Sequence, residues 1–261
     1  MLEEFIDREH LTVSDDWYRG YLKRFCELWF YGDGEDVTSK MVSGDCRGEI
    51  VFKEKGIIAG IEEVEWICHE YGTSFDGKIV SGDVRDVLRL ERLILNVLGK
   101  MSGIATNAVR LKGMAPGVLL CPTRKTDWGP LDKKACLVGG CGTHRLGLWD
   151  AILIKDNHLA AGVDLLELPS EVKFVEIEVK DLSQLRKIEA EVPVIVMLDN
   201  FGVSELKDAI SRVRDMGYLV EVSGGITEKN LQEYAKFGPD IISMSCLTRG
   251  VGALDVGFDL C

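Results

Sequence analysis

The sequence has no apolar run approaching the roughly eighteen residues of a membrane span, and no leader in which basic residues precede an apolar core. Its first ten residues, MLEEFIDREH, are acidic where a secretory signal would be basic, so the expected compartment is the cytoplasm. An excess of positive charge is also missing. There are 31 Lys and Arg against 43 Asp and Glu, a formal net charge of -12, and the pI is near 4.9. That balance argues against partners held by general attraction to phosphate, namely nucleic acids and anionic membranes. No CxxC pair occurs. The cysteines at 26, 46, 68, 121, 136, 141, 246 and 261 are scattered through a chain large enough to need no covalent staples, and they read as reduced thiols. Cys136, Cys141 and His144 lie close in sequence, but a zinc site would need a second ligand pair that is not there.

What is present is the composition of a globular protein, 261 residues with 46% apolar and 28% charged content, enough for a barrel alone or a barrel with a small domain. From about residue 117, apolar runs of strand length alternate with amphipathic stretches: GVLLCP, DAILIK, KFVEIEV, PVIVMLDN, YLVEVSGG and DIISMS. Strands alternating with helices predict a parallel sheet, and the right-handed crossover rule winds it into a barrel or an open sheet, of which the barrel is favoured. Residues 1–99 read differently. A helical stretch from Trp17 to Phe30 precedes GDGEDVTS and the shorter runs GEIVFKEKGIIAG and GKIVSGD, which predict an antiparallel sheet in a separate α+β domain. The helix-forming segment LRLERLILNVLGKMSG then leads into the barrel, expected over 100–249, and the last segment, 250–261, is a candidate to return to the first domain.

Nearly every barrel strand ends in a charged or reactive side chain: Arg124 and Lys125, Lys155, Glu178, Asp199, Ser223, Ser245. Parallel barrels carry their chemistry at the C-terminal strand ends, where loops vary on rigid roots. One such charge is ordinarily just solvated; six strands in series are not explained that way. The cations Arg124, Lys125, His144, Arg145, Lys155 and His158 come from the early barrel of an acidic chain. Converging cations repel unless an anion fills the space between them, and Arg grips a carboxylate with two parallel hydrogen bonds. Pairing with Asp127, Asp132, Asp150 or Asp156 is the plainer use of any one of them. Later, YLVEVSGGITEKNLQEYAKFG reads as strand, glycine turn and a helix capped near Thr227 and stopped at Gly238, a geometry that cradles phosphate on backbone amides. Glu178 and Asp199, between the two zones, suit sugar hydroxyls or a magnesium ion carrying pyrophosphate. Lys155 as a Schiff-base nucleophile ranks lower beside Arg145. No nucleophile triad is present.

Taken in order, ERLILNVLGKMSGIAT, TRKT, GGCGTHRLGLWDAILIKDNH, EIEV, MLDNF and SGGI resemble the quinolinate phosphoribosyltransferase (nicotinate-nucleotide pyrophosphorylase) family, from GDGEDVTS to the C-terminus. The resemblance implies an N-terminal α+β domain, an incomplete α/β barrel and a homodimer with shared sites. It also implies conversion of quinolinate and phosphoribosyl pyrophosphate, with Mg2+, to nicotinate mononucleotide, pyrophosphate and CO2. Carried over by motif, Arg124, Lys125, His144, Arg145 and Lys155 bind the quinolinate carboxylates, and Arg92 reaches in from the partner subunit. Glu178 and Asp199 serve ribose and metal, and Ser223, Gly224 and Gly225 serve the 5′-phosphate. Lys125, Lys155, Glu178 and Asp199 form the catalytic set. Two departures stand out: SCLTRG replaces a GALTHS-like stretch, putting Ser245 and Arg249 at phosphate-facing positions, and the loop TDWGPLDKK is short. The alternatives are a transferase for nicotinate or another small acid, including a relative found with molybdate transport genes, and a noncatalytic phosphate-binding module.

Overall fold

In a computed structural model, residues 1–163, 172–187 and 192–261 are described. The chain runs α1 (Asp16–Asp33), β1 (Asp45–Phe52), α2 (Ile61–Glu70), β2 (Ser74–Phe75), β3 (Ile79–Asp83) and the long α3 (Val84–Met114). It continues through β4 (Leu119–Cys121), α4 (Pro130–Val138), β5 (Ile152–Ile154), α5 (Asp156–Ala160), β6 (Val175–Val179) and β7 (Val194–Asp199). Then follow α6 (Val203–Asp215), β8 (Leu219–Ser223), α7 (Glu228–Ala235), β9 (Ile241–Ser243) and β10 (Val256–Leu260). Parts of the polar segments expected on either side of β6 lie outside the described residues.

Two compact units form, and they interleave along the chain rather than dividing at one cut. One comprises Arg8–Asn107, Pro130–Gly139 and Val251–Cys261. Its sheet is antiparallel in the order β10-β1-β3-β2, so the C-terminal strand pairs with β1 from Gly48↔Leu260 to Phe52↔Val256. α1 forms because Asp15 caps it, accepting from the amides of Trp17 at 2.9 Å and Tyr18 at 3.1 Å, and because Tyr18, Leu22, Cys26 and Phe30 make a buried stripe. On α3 a side chain at Gly103 would meet the backbone of Gly252 and Ala253, so a glycine there lets the returning segment lie against the helix. Inspected by itself, α4 carries two lysines that look solvent-seeking, yet it is buried from Pro130 to Cys136. The reason is pairing: Lys134 Nζ meets Glu62 and lies 2.6 Å from Glu63, which also accepts from the Tyr18 hydroxyl at 2.7 Å.

The other unit comprises Met1–Asp7, Ala108–Gly129 and Gly140–Gly250, and contains six parallel strands in the order β4-β9-β8-β7-β6-β5. β4 and β5, consecutive in this sheet by sequence, stand at its two edges, as the first and last staves of a barrel left open between them. The fold is an N-terminal α+β domain with an incomplete parallel α/β barrel. The strand runs form β4 to β9 as their apolar patterning predicts; the last helix starts after Thr227 but ends at Ala235, short of Gly238. The floor of the barrel core is closed by the chain's own start. Phe5, fully buried, packs with Cys121, Phe174, Ile195 and Ile241, an amount of burial worth about 1.5–3 kcal/mol. All eight cysteines are free thiols.

Candidate active site

Side chains alternate faces along a strand, so Glu176 and Glu178 point the same way on β6, as do Met197 and Asp199 on β7 and Glu221 and Ser223 on β8. The upper members of these pairs line one cavity of about 620 Å3, within the usual range for a small-molecule site of roughly 300–1,000 Å3. Arg124, Lys125, His144, Arg145 and Lys155 line it, together with Glu178, Asp199, Ser223, Gly224, Gly225 and Ser245. The curl of the sheet is what brings the cations together. Arg124 follows β4 and Arg145 precedes β5, at opposite sheet edges, and yet the charge of Arg124 reaches Arg145. Burial first, and then Arg124, weaken the hold of the Arg145 guanidinium on its proton, opposed by Glu176, Asp150 and Glu178. An anion between the two arginines would relieve both burial and repulsion.

Lys155 Nζ makes an ion pair with Glu178, so at this point the structure joins two residues that the sequence assigned to separate zones. Asp199 accepts from the Asn200 side chain at 2.9 Å. Asn200 itself was not singled out from the sequence. It lines the cavity with a left-handed backbone (φ 60), its amide donates to the Ser223 carbonyl at 2.8 Å, and its side chain lies against Gly224. The residue type was the available signal, since Asn tolerates that conformation better than other side chains. Ser243, also unanticipated, lines the cavity with a buried hydroxyl that has no hydrogen-bond partner among the described residues. Such an orphan calls for a polar ligand.

Three residues, Arg249, His144 and His158, depart from the reading given to them. Arg249 is exposed and does not line the cavity, whereas Ser245, whose carbonyl accepts the Arg249 amide at 2.9 Å, does. Arg92, read as serving the partner subunit, lies on α3 outside its own chain's cavity, 3.6 Å from Glu91 with its side chain 66% exposed. His144 lines the cavity but presents neither ring nitrogen to it as a cationic donor. Nδ1 accepts the Arg145 amide at 2.7 Å, and Nε2 lies 3.2 Å from Glu176 and 3.4 Å from Glu221. Burial disfavours a charged ring while the two carboxylates favour one, and the net pull is toward holding a proton. That direction favours the imidazolium, with a proton on each nitrogen, and the Arg145 amide opposes it: a backbone amide can only donate, so the packing holds Nδ1 as an acceptor and the ring keeps its proton on Nε2, facing the carboxyls. The proton pull belongs to the trio as a whole, and the carboxyl of Glu176 is raised too, by burial and then by Glu221. His158, read with the cations, instead accepts the Lys155 amide on Nδ1 at 3.0 Å.

Gly224 and Gly225 have φ of +92° and +63°. A Cβ on Gly224 would lie 2.8 Å from the Asn200 amide nitrogen and closer still to its side chain, whereas one on Gly225 would meet nothing within 4 Å. Gly225→Ala is therefore expected to cost only the left-handed strain, about 1–2 kcal/mol. Gly224→Ala adds a clash that displaces Asn200 and Asp199. Thermal melts with and without inorganic phosphate should show the larger loss of stability and of phosphate protection in Gly224→Ala; equal effects would refute the close approach.

Residues 104–259 match the family model described as "Quinolinate phosphoribosyl transferase, C-terminal domain". The chain is 38% identical to a protein of Methanocaldococcus jannaschii named probable nicotinate-nucleotide pyrophosphorylase [carboxylating], over 88% of this chain and 92% of that one. It is 35% identical to the nicotinate-nucleotide pyrophosphorylase [carboxylating] of Mycobacterium leprae, over 82% and 86% respectively. Among solved structures, it resembles the nicotinate-nucleotide pyrophosphorylase of Francisella tularensis with a TM-score of 0.80 at 28% identity, covering 93% of this chain and 96% of that one. With a family match over more than half its length and relatives above 30% identity aligned almost end to end, this chain belongs to the quinolinate phosphoribosyltransferase family.

Proposed function

We propose that this protein is a carboxylating nicotinate-nucleotide pyrophosphorylase. It transfers the phosphoribosyl group of phosphoribosyl pyrophosphate to the ring nitrogen of quinolinate, releasing pyrophosphate and CO2 and supplying nicotinate mononucleotide for NAD biosynthesis. The observation that carries the reading is one cavity lined by Arg124, Lys125, Arg145 and Lys155 together with Asp199 and the Ser223–Gly225 turn. The cations match a dicarboxylate, and the turn matches a phosphate.

Arg124 and Arg145 hold the two carboxylates and orient the ring, Lys125 adds charge, and Lys155 bridges the acid to Glu178. Cleavage at ribose C1 builds positive charge on the sugar as pyrophosphate leaves. Asp199, with Glu178 behind Lys155, stabilises that charge from fixed positions. Loss of the ring carboxylate next to the alkylated nitrogen then leaves a carbanion beside a cation, a step helped by excluding water rather than by a base, and the carbanion takes up a proton from solvent to give nicotinate mononucleotide. The buried Arg145 provides a dry wall for it.

Mg2+ suits this site: Glu178 and Asp199 are hard oxygen donors at the ends of neighbouring strands, and that ion commonly takes one or two carboxylates plus substrate phosphates and waters. Asp199 is the readier of the two because Glu178 is engaged by Lys155. When bound, the ion would supply charge neutralisation for the departing pyrophosphate. The protein works as a homodimer in the cytoplasm, each site completed by Arg92 of the other subunit. Among the described residues no helix is long and apolar enough to cross a membrane.

A pyrophosphate-release assay tests this, with quinolinate and nicotinate offered in parallel, each with phosphoribosyl pyrophosphate and Mg2+. Strong preference for quinolinate is expected; preference for nicotinate, or binding without release, overturns the reading. In the same assay Asp199→Asn should lower kcat by about 100-fold, the scale of losing one preorganised electrostatic group, with the quinolinate KM nearly unchanged. A variant that kept full kcat and lost only acid affinity would refute the division of roles.

A further inference from the structure

Beneath the cavity, one layer down the same strands, lie Glu176 and Glu221, both fully buried, on either side of His144 Nε2. Neither oxygen of Glu221 has a hydrogen-bond partner among the described residues; the carboxyl lies 3.4 Å from Nε2 and its charge also bears on Glu176. The His144 ring is stacked on Phe5, centroids 4.9 Å apart and planes 14° from parallel. Its backbone is left-handed, φ 51, for a residue that is not glycine. The carbonyl of His144 accepts from the Thr143 hydroxyl at 2.8 Å, and the amide of Thr143 is tied to the Phe5 carbonyl at 2.9 Å. Downstream, the Leu146 amide is held by Asp150 at 2.7 Å.

A histidine with two glutamates at these separations is the shape of a metal site, but the chemistry of Nδ1 decides against it. A histidine that ligates through Nε2 keeps its proton on Nδ1 and donates it outward. Here Nδ1 receives a donor, so the proton stays on Nε2 and points at the glutamates.

We propose that His144 is a pin that sets the backbone at Arg145, and that Phe5, Glu176 and Glu221 are positioning residues that hold the pin. The ring is gripped on a face by Phe5 and at Nε2 by the two carboxyls, and its remaining nitrogen carries the Arg145 amide. Whatever fixes the ring therefore fixes the point from which the Arg145 guanidinium enters the cavity. The start of the chain, by way of Phe5, becomes part of the acid site without lining it. This rests on the assignment of Arg145 to the acid.

The first test is nitrogen NMR of the full-length protein labelled at histidine, which has four to resolve; the His144 signal is identified by its loss in His144→Gln. An acceptor-type Nδ1 is expected in the free protein and also under saturating quinolinate. A protonated Nδ1 in the free protein overturns the pin, and its appearance on adding quinolinate makes His144 a direct ligand and overturns it equally. The free-protein signal decides the pin whatever acid the cavity takes, so a failed substrate assignment reads separately as the absence of quinolinate turnover. The second test is kinetic. Phe5→Ala and Glu221→Leu should each raise the quinolinate KM by about tenfold, with kcat and the phosphoribosyl pyrophosphate KM unchanged. Glu221→Gln, which still offers Nε2–H an acceptor oxygen, should restore the quinolinate KM. If kcat falls and both KM values rise together as the melting temperature drops, and Gln restores none of them, the residues are merely structural and the proposal fails.

Discussion

Replacing Arg145 with alanine should weaken quinolinate binding by about ten- to a hundredfold while leaving the fold intact, because a charge-assisted contact in a sheltered site contributes about 1.5–3 kcal/mol. Lys155→Ala should weaken it at least as much, for a reason the fold adds. Lys155 is the ion-pair partner of Glu178, whose side chain is 8% exposed. Deleting the lysine removes a cation and also uncovers a buried carboxylate facing the incoming dianion; because the lysine itself is 41% exposed, solvent screens part of that penalty. The double variant Lys155→Ala with Glu178→Gln removes that repulsion, so it should bind quinolinate more tightly than Lys155→Ala alone. Calorimetric titration checks each step. Unchanged affinity in both single variants would remove these residues from the acid site, and a double variant no better than Lys155→Ala would refute the uncovered-carboxylate argument.

Arg92→Ala and Arg145→Ala homodimers should both be nearly inactive, and mixing them should restore activity. The exposed Arg92 side chain is available to a second subunit. If it completes the neighbour's site, a mixed dimer holds one site lacking both arginines and one lacking neither. Recovery toward half the wild-type activity per mixed dimer is then expected after co-expression, corrected for the fraction of mixed species. The plainer use of Arg92 is its 3.6 Å approach to Glu91, a surface pair of the kind that contributes about 0–1 kcal/mol. That use predicts an Arg92→Ala homodimer of nearly normal activity and no gain on mixing. Sedimentation at assay concentration supplies the dimer fraction, and a monomeric but fully active wild type would exclude sharing altogether.

Much of the site was legible because a barrel turns local pattern into position. An apolar run of five or six residues is a strand whatever surrounds it, and the parallel fold sends the residue at its C-terminal end to a common rim. Lys155, Glu178, Asp199 and Ser223 could therefore be assembled from order alone, and they line one cavity. Ser245 joined them for the same reason. Arg249, four residues on, did not, because the turn that follows the strand points it into solvent, and turn direction is not written in an apolar pattern.

Residues whose meaning depends on partners distant in sequence were a different matter. The chain reads the same whether Lys133 and Lys134 face water or are buried; Glu62, Glu63 and Tyr18, brought from elsewhere, make burial of Lys134 tolerable. Nothing around MLEEFIDREH announces that Phe5 closes the barrel floor. His144 is the clearest case. Its letter and place in THRLGL said cation at the rim, and its backbone does stand there. The protonation of a ring, however, is set by what meets each nitrogen, and those groups are the amide of Arg145 and carboxyls from two strands further along. The sequence by itself determined the strands, their order along the chain and the chemical types gathered at their ends, because these follow from local patterning. Only the tertiary structure decided which polar groups are already engaged with one another, Lys155 with Glu178 and His144 with Glu176 and Glu221, because pairing is a matter of distance and burial between side chains that the linear order leaves apart.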